Sequence, residues 1–442
     1  MASRSRVAQA LRQIPDRARS MPRRPIGLQM VSPDGIIGVY GQSERFSDFE
    51  GNWQPTLFGS ARLEAFVRLL KSGALDSFGQ HLHDDGFLPQ LFQLGNDLYC
   101  GERGLAFVAA AKHLGLPQIP ADVIDLVPGK FRKMGQVPRR DAKYAPPIAL
   151  GKKTVRIEPP DFDPSHLQPA EDERVVTEST VWSFPDRGSW ATHNGNYPGN
   201  FSPHIIRRLL ELYTEEGDLV LDPMVGGGTT LIECAVMDRR GVGVDINPDA
   251  IQVALAALEF PHRITQHTYI GDARNLHLFD NGIFDFIMFH PPYGDIIKYS
   301  QVDGDLSQIS KRRLHEFVEE MTRVAYELFR LLKFGKKAAL LIGDMRECCH
   351  QIPLSDVLKL AFMRMGFVLN NDIIKLQHGC RDPGTGASMG RMTGLTRALS
   401  EDGTKYLPLK HEHLYVFRKP GKDESLKPIQ WSTYDGNMGF FL

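Results

Sequence analysis

No apolar run in the 442-residue chain reaches the roughly 18 to 20 residues needed to cross a bilayer. The N-terminus has no apolar signal core either. Cysteine is scarce: Cys100, Cys234, Cys348, Cys349 and Cys380 form no disulfide framework, and the adjacent Cys348-Cys349, with His350 beside it, lacks the spacing of zinc ligands. The cysteines read as reduced thiols of a cytoplasmic protein with no metal site and no membrane segment. Excess charge of one sign is also missing, since the net charge is −1. A nucleic-acid enzyme needs a positive cleft, not a positive whole, so this balance excludes neither nucleic acid nor a small substrate. There is no internal repeat and no long low-complexity stretch.

What is present changes character along the chain. Met1–Arg24 holds seven Arg and one Asp, and residues 1–40 read as a basic flexible arm suited to phosphates, although an amphipathic targeting peptide has the same look. Residues 41–127 form a compact pattern. It has helical periodicity over Ala61–Gly73 and a strand candidate from Phe87 through Leu94. A turn at Gly95, an Ala-rich helix from Leu105 to Leu114 stopped by Gly115, and a strand from Ile119 follow. Residues 128–175 are rich in Pro, Lys and Asp and read as a linker. From 176 to 419 strands and helices alternate, which predicts a doubly wound α/β domain, and 420–442 reads as a tail.

The strongest segment within the α/β pattern runs Asp218-Leu-Val-Leu-Asp-Pro-Met-Val-Gly-Gly-Gly-Thr-Thr-Leu-Ile-Glu. An apolar strand passes through glycines into a helix, a turn that lets a ligand approach the backbone closely. Its spacing, with Asp222, Pro223, Gly226, Gly228, Thr229 and Thr230, differs from the dinucleotide fingerprint, so no pyrophosphate is implied. Asp222 at the strand end suits a positively charged amino acid ligand, and the two threonines suit a helix cap. Gly241-Val-Gly-Val-Asp-Ile-Asn-Pro then ends a second strand at Asp245 and Ile246, where an acid can grip ribose hydroxyls. A third strand ends at Gly271 with Asp272 and Ala273, where Asp272 could face an adenine amino group. Three acids at successive strand ends beside one glycine turn describe a nucleoside pocket; the alternative is that they only make turns and cap helices.

The fourth strand, Phe284–Phe289, runs directly into His290-Pro291-Pro292-Tyr293-Gly. Two prolines lock an extended turn that aims carbonyls and the residue 290 side chain at one point. An exocyclic amine needs such acceptors, because its lone pair is delocalised into the ring. Accepting its N–H bonds returns electron density to nitrogen. Tyr293 offers a flat face on which an unstacked base could stack.

These residues carry a resemblance. The chain resembles the amino-methyltransferases that modify cytosine N4 or adenine N6 in DNA, with hallmarks Asp-Pro-Phe-x-Gly-x-Gly-Thr-Thr and Asp/Asn/Ser-Pro-Pro-Tyr. Residues 222–230 match the first with Met224 in place of Phe, and 290–293 match the second with His290 at the first position. The segment Trp182–Leu210, with Gly199-Asn-Phe-Ser, is similar to the element over the methionine moiety. The resemblance implies a Rossmann-like class I methyltransferase domain and S-adenosyl-L-methionine as cofactor. DNA is the implied partner, with a restriction or defence-system partner and a homodimer as further options. The His290 context, through Gly294-Asp-Ile-Ile-Lys-Tyr-Ser, leans toward cytosine N4 over adenine N6. Gly101-Glu-Arg-Gly with the helix after it is similar to the α+β fold of ParB partition proteins, Gly104 replacing their second Arg.

Other residues are less specific. Lys298, Lys311, Arg312 and Arg313 could contact phosphates or form a solvated face, and residues 376–411 read either as a mobile loop over substrate or as a surface loop. Two competing readings stand beside the first: a tRNA guanine N2-type methyltransferase, which shares the Pro-Pro-Tyr turn, and a non-enzymatic ParB-like DNA-binding protein.

Overall fold

The computed structural model describes residues 27–39, 90–94, 97–100, 105–125, 134–137, 139, 148–150, 153–155, 157–158, 160, 162–170, 177–276, 278–347, 350–378, 409–422 and 424–426. The Arg-rich arm up to Arg24, the Ala61–Gly73 helix, Cys348, Cys349 and Cys380, and most of the 376–411 loop lie outside the described residues. Among the described residues, no helix is long and apolar enough to cross a membrane.

The chain divides into two compact units, one comprising Met1–Lys130, Met363–Val368 and Pro420–Leu442, the other Phe131–Phe362 and Leu369–Lys419. The first has a mixed five-stranded sheet of β1 (Gly27–Val31), β2 (Ile36–Val39), β3 (Gln90–Leu94), β4 (Asp97–Cys100) and β5 (Ile119–Asp125), in the order β1-β5-β3-β4-β2. Helix α1 (Leu105–His113) lies between β4 and β5 in sequence and buries Phe107 to Ala111. The expected helix and strands of this region are present where they are described.

The second unit is built on one eight-stranded sheet. Its strands are β8 (Val181–Ser183), β9 (Leu219–Asp222), β10 (Arg240–Asp245), β11 (His267–Ile270), β12 (Phe284–Phe289), β13 (Leu332–Ile342), β16 (Val368–Leu376) and β17 (His411–Arg418). They stand in the order β11-β10-β9-β12-β13-β17-β16-β8. Pairings from β11 to β13 are all parallel, and β17 runs antiparallel to β13. The crossovers carry α3 (Thr229–Val236), α4 (Pro248–Ala257) and α5 (Leu314–Leu331), with α2 (Pro203–Tyr213) entering β9 and α6 (Leu354–Arg364) leading to β16. This is the doubly wound α/β arrangement predicted from the alternating pattern. All six residues of β12 are buried, as expected of a central strand covered on both faces.

Two apolar clusters cover the sheet. One gathers Trp182, Ile205, Leu209, Val220, Phe286, Met288, Ala339 and Val416; the other gathers Trp190, Leu231, Ile232, Ile251, Ala254 and Ile270. Strands β14 (Met345–Glu347) and β15 (His350–Ile352) pair with each other outside that sheet. Val137, Phe162 and Leu167 pack against the second cluster, and a small hairpin joins β6 (Ile148–Leu150) to β7 (Lys153–Val155). The stretch 128–175 therefore contributes to this unit and is not only a linker. It lacks a 2.0 or 3.6 periodicity because its packed residues sit on an irregular strap broken by the short helical turn Pro164–His166.

From β9 the chain steps to β10 on one side, then returns past β9 to β12 on the other. This reversal opens a crevice at the carboxyl ends of β9 and β12, where α/β sheets place their ligands.

Candidate active site

A cavity of about 810 Å³, counting its open mouth, lies in that crevice. Pro223, Gly226, Thr229, Asp245, Ile246, Asp272, Ala273, His290 and Pro292 line it, so residues read from four strand ends converge as expected. Tyr197, Asn200, Phe201, Tyr299 and Asp305 complete the wall.

The turn after β9 is shaped by glycine. Gly228, the residue before α3, has φ +89, and a Cβ there would stand 3.2 Å from the Cα of Ala254 on α4. Only glycine meets both demands cheaply. The loop is then tied from two sides. Asp245 accepts from the Gly226 N–H (3.0 Å) and the Asn247 N–H (2.9 Å), while Thr229 donates to Asn200 Oδ1. Burial pushes the Asp245 carboxyl up to about 6, with Asp305 acting the same way against those two N–H groups.

Asp222 behaves differently from the expectation. It does not line the cavity but is buried beneath it, accepting from the Met224 N–H (3.0 Å) and the Thr230 hydroxyl (2.5 Å). Both oxygens serve the turn itself, so Asp222 holds the loop and Thr230 answers it; neither they nor Gly228 line the cavity. Burial lifts the Asp222 carboxyl to about 7, against those hydrogen bonds. Asp272 does line the cavity, but Arg274 clamps both its oxygens, at 2.8 and 2.5 Å. The third Arg274 nitrogen reaches Glu320 at 2.7 Å, so this guanidinium is fully engaged.

The His290–Tyr293 turn follows β12. His290 forms part of the cavity wall, its ring edge-on to Phe201 with centroids 5.8 Å apart. Burial, with Lys375 acting the same way, pushes the ring down to about 4 against the Glu412 charge and the Gly199 carbonyl. His290 is therefore neutral near pH 7. Tyr293 is 7% exposed, and Pro291 is buried; neither lines the cavity. The ring face expected to stack a base is covered, because the Tyr293 hydroxyl is drawn inward to Glu412 (3.0 Å) and His290 Nε2 (3.0 Å). Glu412 in turn pairs with Lys375 at 2.9 Å.

Sequence reasoning missed Glu412 and Lys375, although a signal existed. Period two places Glu412 on the same strand face as Leu414 and Val416, both fully buried, so an acid there requires a partner. It also missed the Tyr197 and Tyr299 rings, stacked with centroids 5.9 Å apart beside the glycine turn. Nothing local marks such a pair, which joins residues about a hundred positions apart.

Among the described residues, the lining contains three carboxylates, Asp245, Asp272 and Asp305, and neither Lys nor Arg. Such a wall suits hydroxyls and a cationic ligand and disfavours phosphate. Exposed Lys298, Arg312 and Arg313 instead stand on the segment that follows the His290–Tyr293 turn.

Comparison with known proteins finds similarity over part of the chain. Residues 137–256 match the family model described as DNA methylase. The Type II methyltransferase M.HpaI of Haemophilus parainfluenzae is 33% identical over 86 residues, 20% of this chain and 27% of that protein. M.Cfr9I of Citrobacter freundii is 32% identical over 80 residues, 18% of this chain and 25% of the relative. A tRNA (guanine(10)-N2)-dimethyltransferase of Methanothermobacter thermautotrophicus is 38% identical over 100 residues, 22% of this chain and 29% of its own length. The chain thus spans less than a third of each of these relatives. The stretch that builds the glycine turn, α3 and the Asp245 strand lies within the residues that match this family model.

Proposed function

We propose that the chain transfers a methyl group from S-adenosyl-L-methionine to an exocyclic amino group of a DNA base. The observation that carries this reading is the meeting, at one switch point, of an acidic, cation-free cavity and a neutral His290 on a Pro-Pro turn. When bound, the cofactor supplies an electrophilic methyl on a cationic sulfonium. Asp245 would hold ribose hydroxyls, Ile246 and Ala273 the apolar faces of the nucleoside, and the N–H groups at the start of α3 the methionine carboxylate. Asp222, which does not line the cavity, and Asp272, clamped by the Arg274 guanidinium, would support these contacts from behind.

His290, neutral, accepts from the amine N–H and returns electron density to its nitrogen. Pro291 and Pro292 hold the turn rigid, so positioning and amine polarisation carry the chemistry. Cytosine N4 is favoured over adenine N6 by the residues around His290. Exposed Lys298, Arg312 and Arg313 would meet phosphates. The relatives named as Type II methyltransferases support DNA, and they make a restriction partner a natural companion. The 41–127 region is read as a ParB-like module from its sequence pattern; the Ala-rich helix α1 and strand β5 support an α+β reading, while Gly101–Gly104 lies outside the described residues.

The tRNA relative keeps an RNA substrate as the second reading. The two separate in one assay. Purified protein is given methyl-labelled cofactor with plasmid DNA or with tRNA, and the digested nucleosides are identified by mass. N4-methylcytosine or N6-methyladenine that disappears in His290→Ala supports the proposal, and label confined to tRNA overturns it.

A further inference from the structure

The hydrogen bonds behind His290 dictate where its proton sits. Tyr293 has one hydroxyl proton and directs it to Glu412 Oε1 at 3.0 Å. Although burial alone would raise the Glu412 carboxyl, the Lys375 charge and the hydrogen bonds from Lys375 and Tyr293 hold it below the usual carboxylate range. Glu412 is therefore an acceptor only. Burial and the same carboxylate keep the Tyr293 phenol well above its ordinary range, so its proton stays on. The tyrosine oxygen is left to accept, and the partner it faces is His290 Nε2, at 3.0 Å. Two acceptors stand by the ring, this oxygen and the Gly199 carbonyl, and the 3.0 Å contact with the tyrosine oxygen assigns the ring's N–H to Nε2. A neutral imidazole has one N–H, so Nδ1 keeps a lone pair.

We propose that Glu412, acting through the Tyr293 hydroxyl and held by Lys375, is a positioning residue that fixes His290 as the Nε2–H tautomer, so that the ring meets the substrate amine only as a hydrogen-bond acceptor. This rests on the reading of His290 as the amine's partner. The other tautomer would turn an N–H toward an amine that itself donates, two donors in conflict. The titratable and charged groups facing His290 are Tyr293 from its own turn, Glu412 from β17 and Lys375 from β16. Phe201 and the Gly199 carbonyl face it from the segment before α2. Glu412 on the buried face of β17 is otherwise hard to account for, since it is 7% exposed and needs Lys375 to neutralise it.

The test is a two-bond proton–nitrogen correlation spectrum of the full chain labelled with 15N-histidine, at pH 7 and without DNA or cofactor. Signals lost in His290→Asn identify the residue. The wild type should show neutral His290 as Nε2–H, and Tyr293→Phe, which keeps the ring but removes the acceptor, should shift it toward a mixture with Nδ1–H. Glu412→Gln, which keeps an acceptor without the charge, should fall between. A wild-type His290 found as Nδ1–H, or an Nε2–H form unchanged in Tyr293→Phe, overturns the proposal. The spectrum needs no substrate, so failure of the methylation reading would show separately as a missing product. With DNA as substrate, Tyr293→Phe should lower kcat on the order of tenfold while the cofactor KM stays within about twofold. An equal loss in both would mark a merely structural role.

Discussion

A carboxylate buried with hydrogen bonds but no cation beside it holds its proton more tightly, and Asp222 is in that situation. Its folded value of about 7 lies above the unfolded value near 3.9. The folded state therefore binds more protons than the unfolded state between those values. Its contribution to stability is full below about pH 4 and is lost as pH rises through about 7. Asp222→Asn keeps an acceptor for the Met224 N–H and a partner for Thr230 but has no charge to bury. Urea unfolding from pH 5 to pH 8 should show the wild type losing stability relative to this variant as pH rises; parallel curves would contradict the burial argument. Asp245 lines the cavity and titrates near 6, so its consequence is in binding. The carboxylate form accepts ribose hydroxyls, and cofactor affinity should fall as pH drops through about 6, measured by calorimetric titration at pH 5.5 and 7.5. Asp245→Asn should flatten that dependence. Neither side-chain direction was legible in the sequence. Asp222 turns inward because Thr230 answers it eight positions on, and Tyr293 because Glu412 does so 119 positions on.

At the scale of elements, the β9–α3 turn and the α2–α3 contact decide whether the cavity keeps its shape. Gly228 combines a left-handed backbone with the close approach of α4, so Gly228→Ala should destabilise the fold by about 1–3 kcal/mol, read as a lower urea midpoint. Glu233 on α3 is fully buried and accepts from Trp190 Nε1 (2.6 Å), His193 Nε2 (2.7 Å) and Arg207 (3.1 Å). That hub anchors to α3 the segment that supplies Tyr197, Asn200 and Phe201 to the cavity wall. Glu233→Ala leaves buried donors unanswered and should cost about 3 kcal/mol by urea unfolding, with weaker cofactor binding; Glu233→Gln, which keeps an acceptor, should cost less. The elements themselves were readable. Phe284–Phe289 is a strand because five of its six residues are apolar and the run ends just before His290-Pro291-Pro292, and the glycine turn is fixed by spacing within nine residues. The 128–175 strap was not readable, since its packing residues Val137, Phe162 and Leu167 meet α3 and α4 with no periodicity of their own.

For the whole molecule, the order β11-β10-β9-β12-β13 is what gathers separated motifs into one crevice. The sequence showed acids and a Pro-Pro turn at strand ends, and the rule that ligands bind at the switch point then placed them together. Which of them face the ligand depended on side chains contributed from β16, β17 and the residues around Tyr299, far away in sequence. The central claim is that this crevice holds a cationic nucleoside-bearing amino acid and no phosphate. Calorimetric titration of the full chain with S-adenosyl-L-methionine, beside a nicotinamide dinucleotide, tests it most directly. The account predicts one cofactor bound per chain, weakened on the order of tenfold by Asp245→Ala, and no heat from the dinucleotide. Binding of the dinucleotide without the cofactor would contradict it.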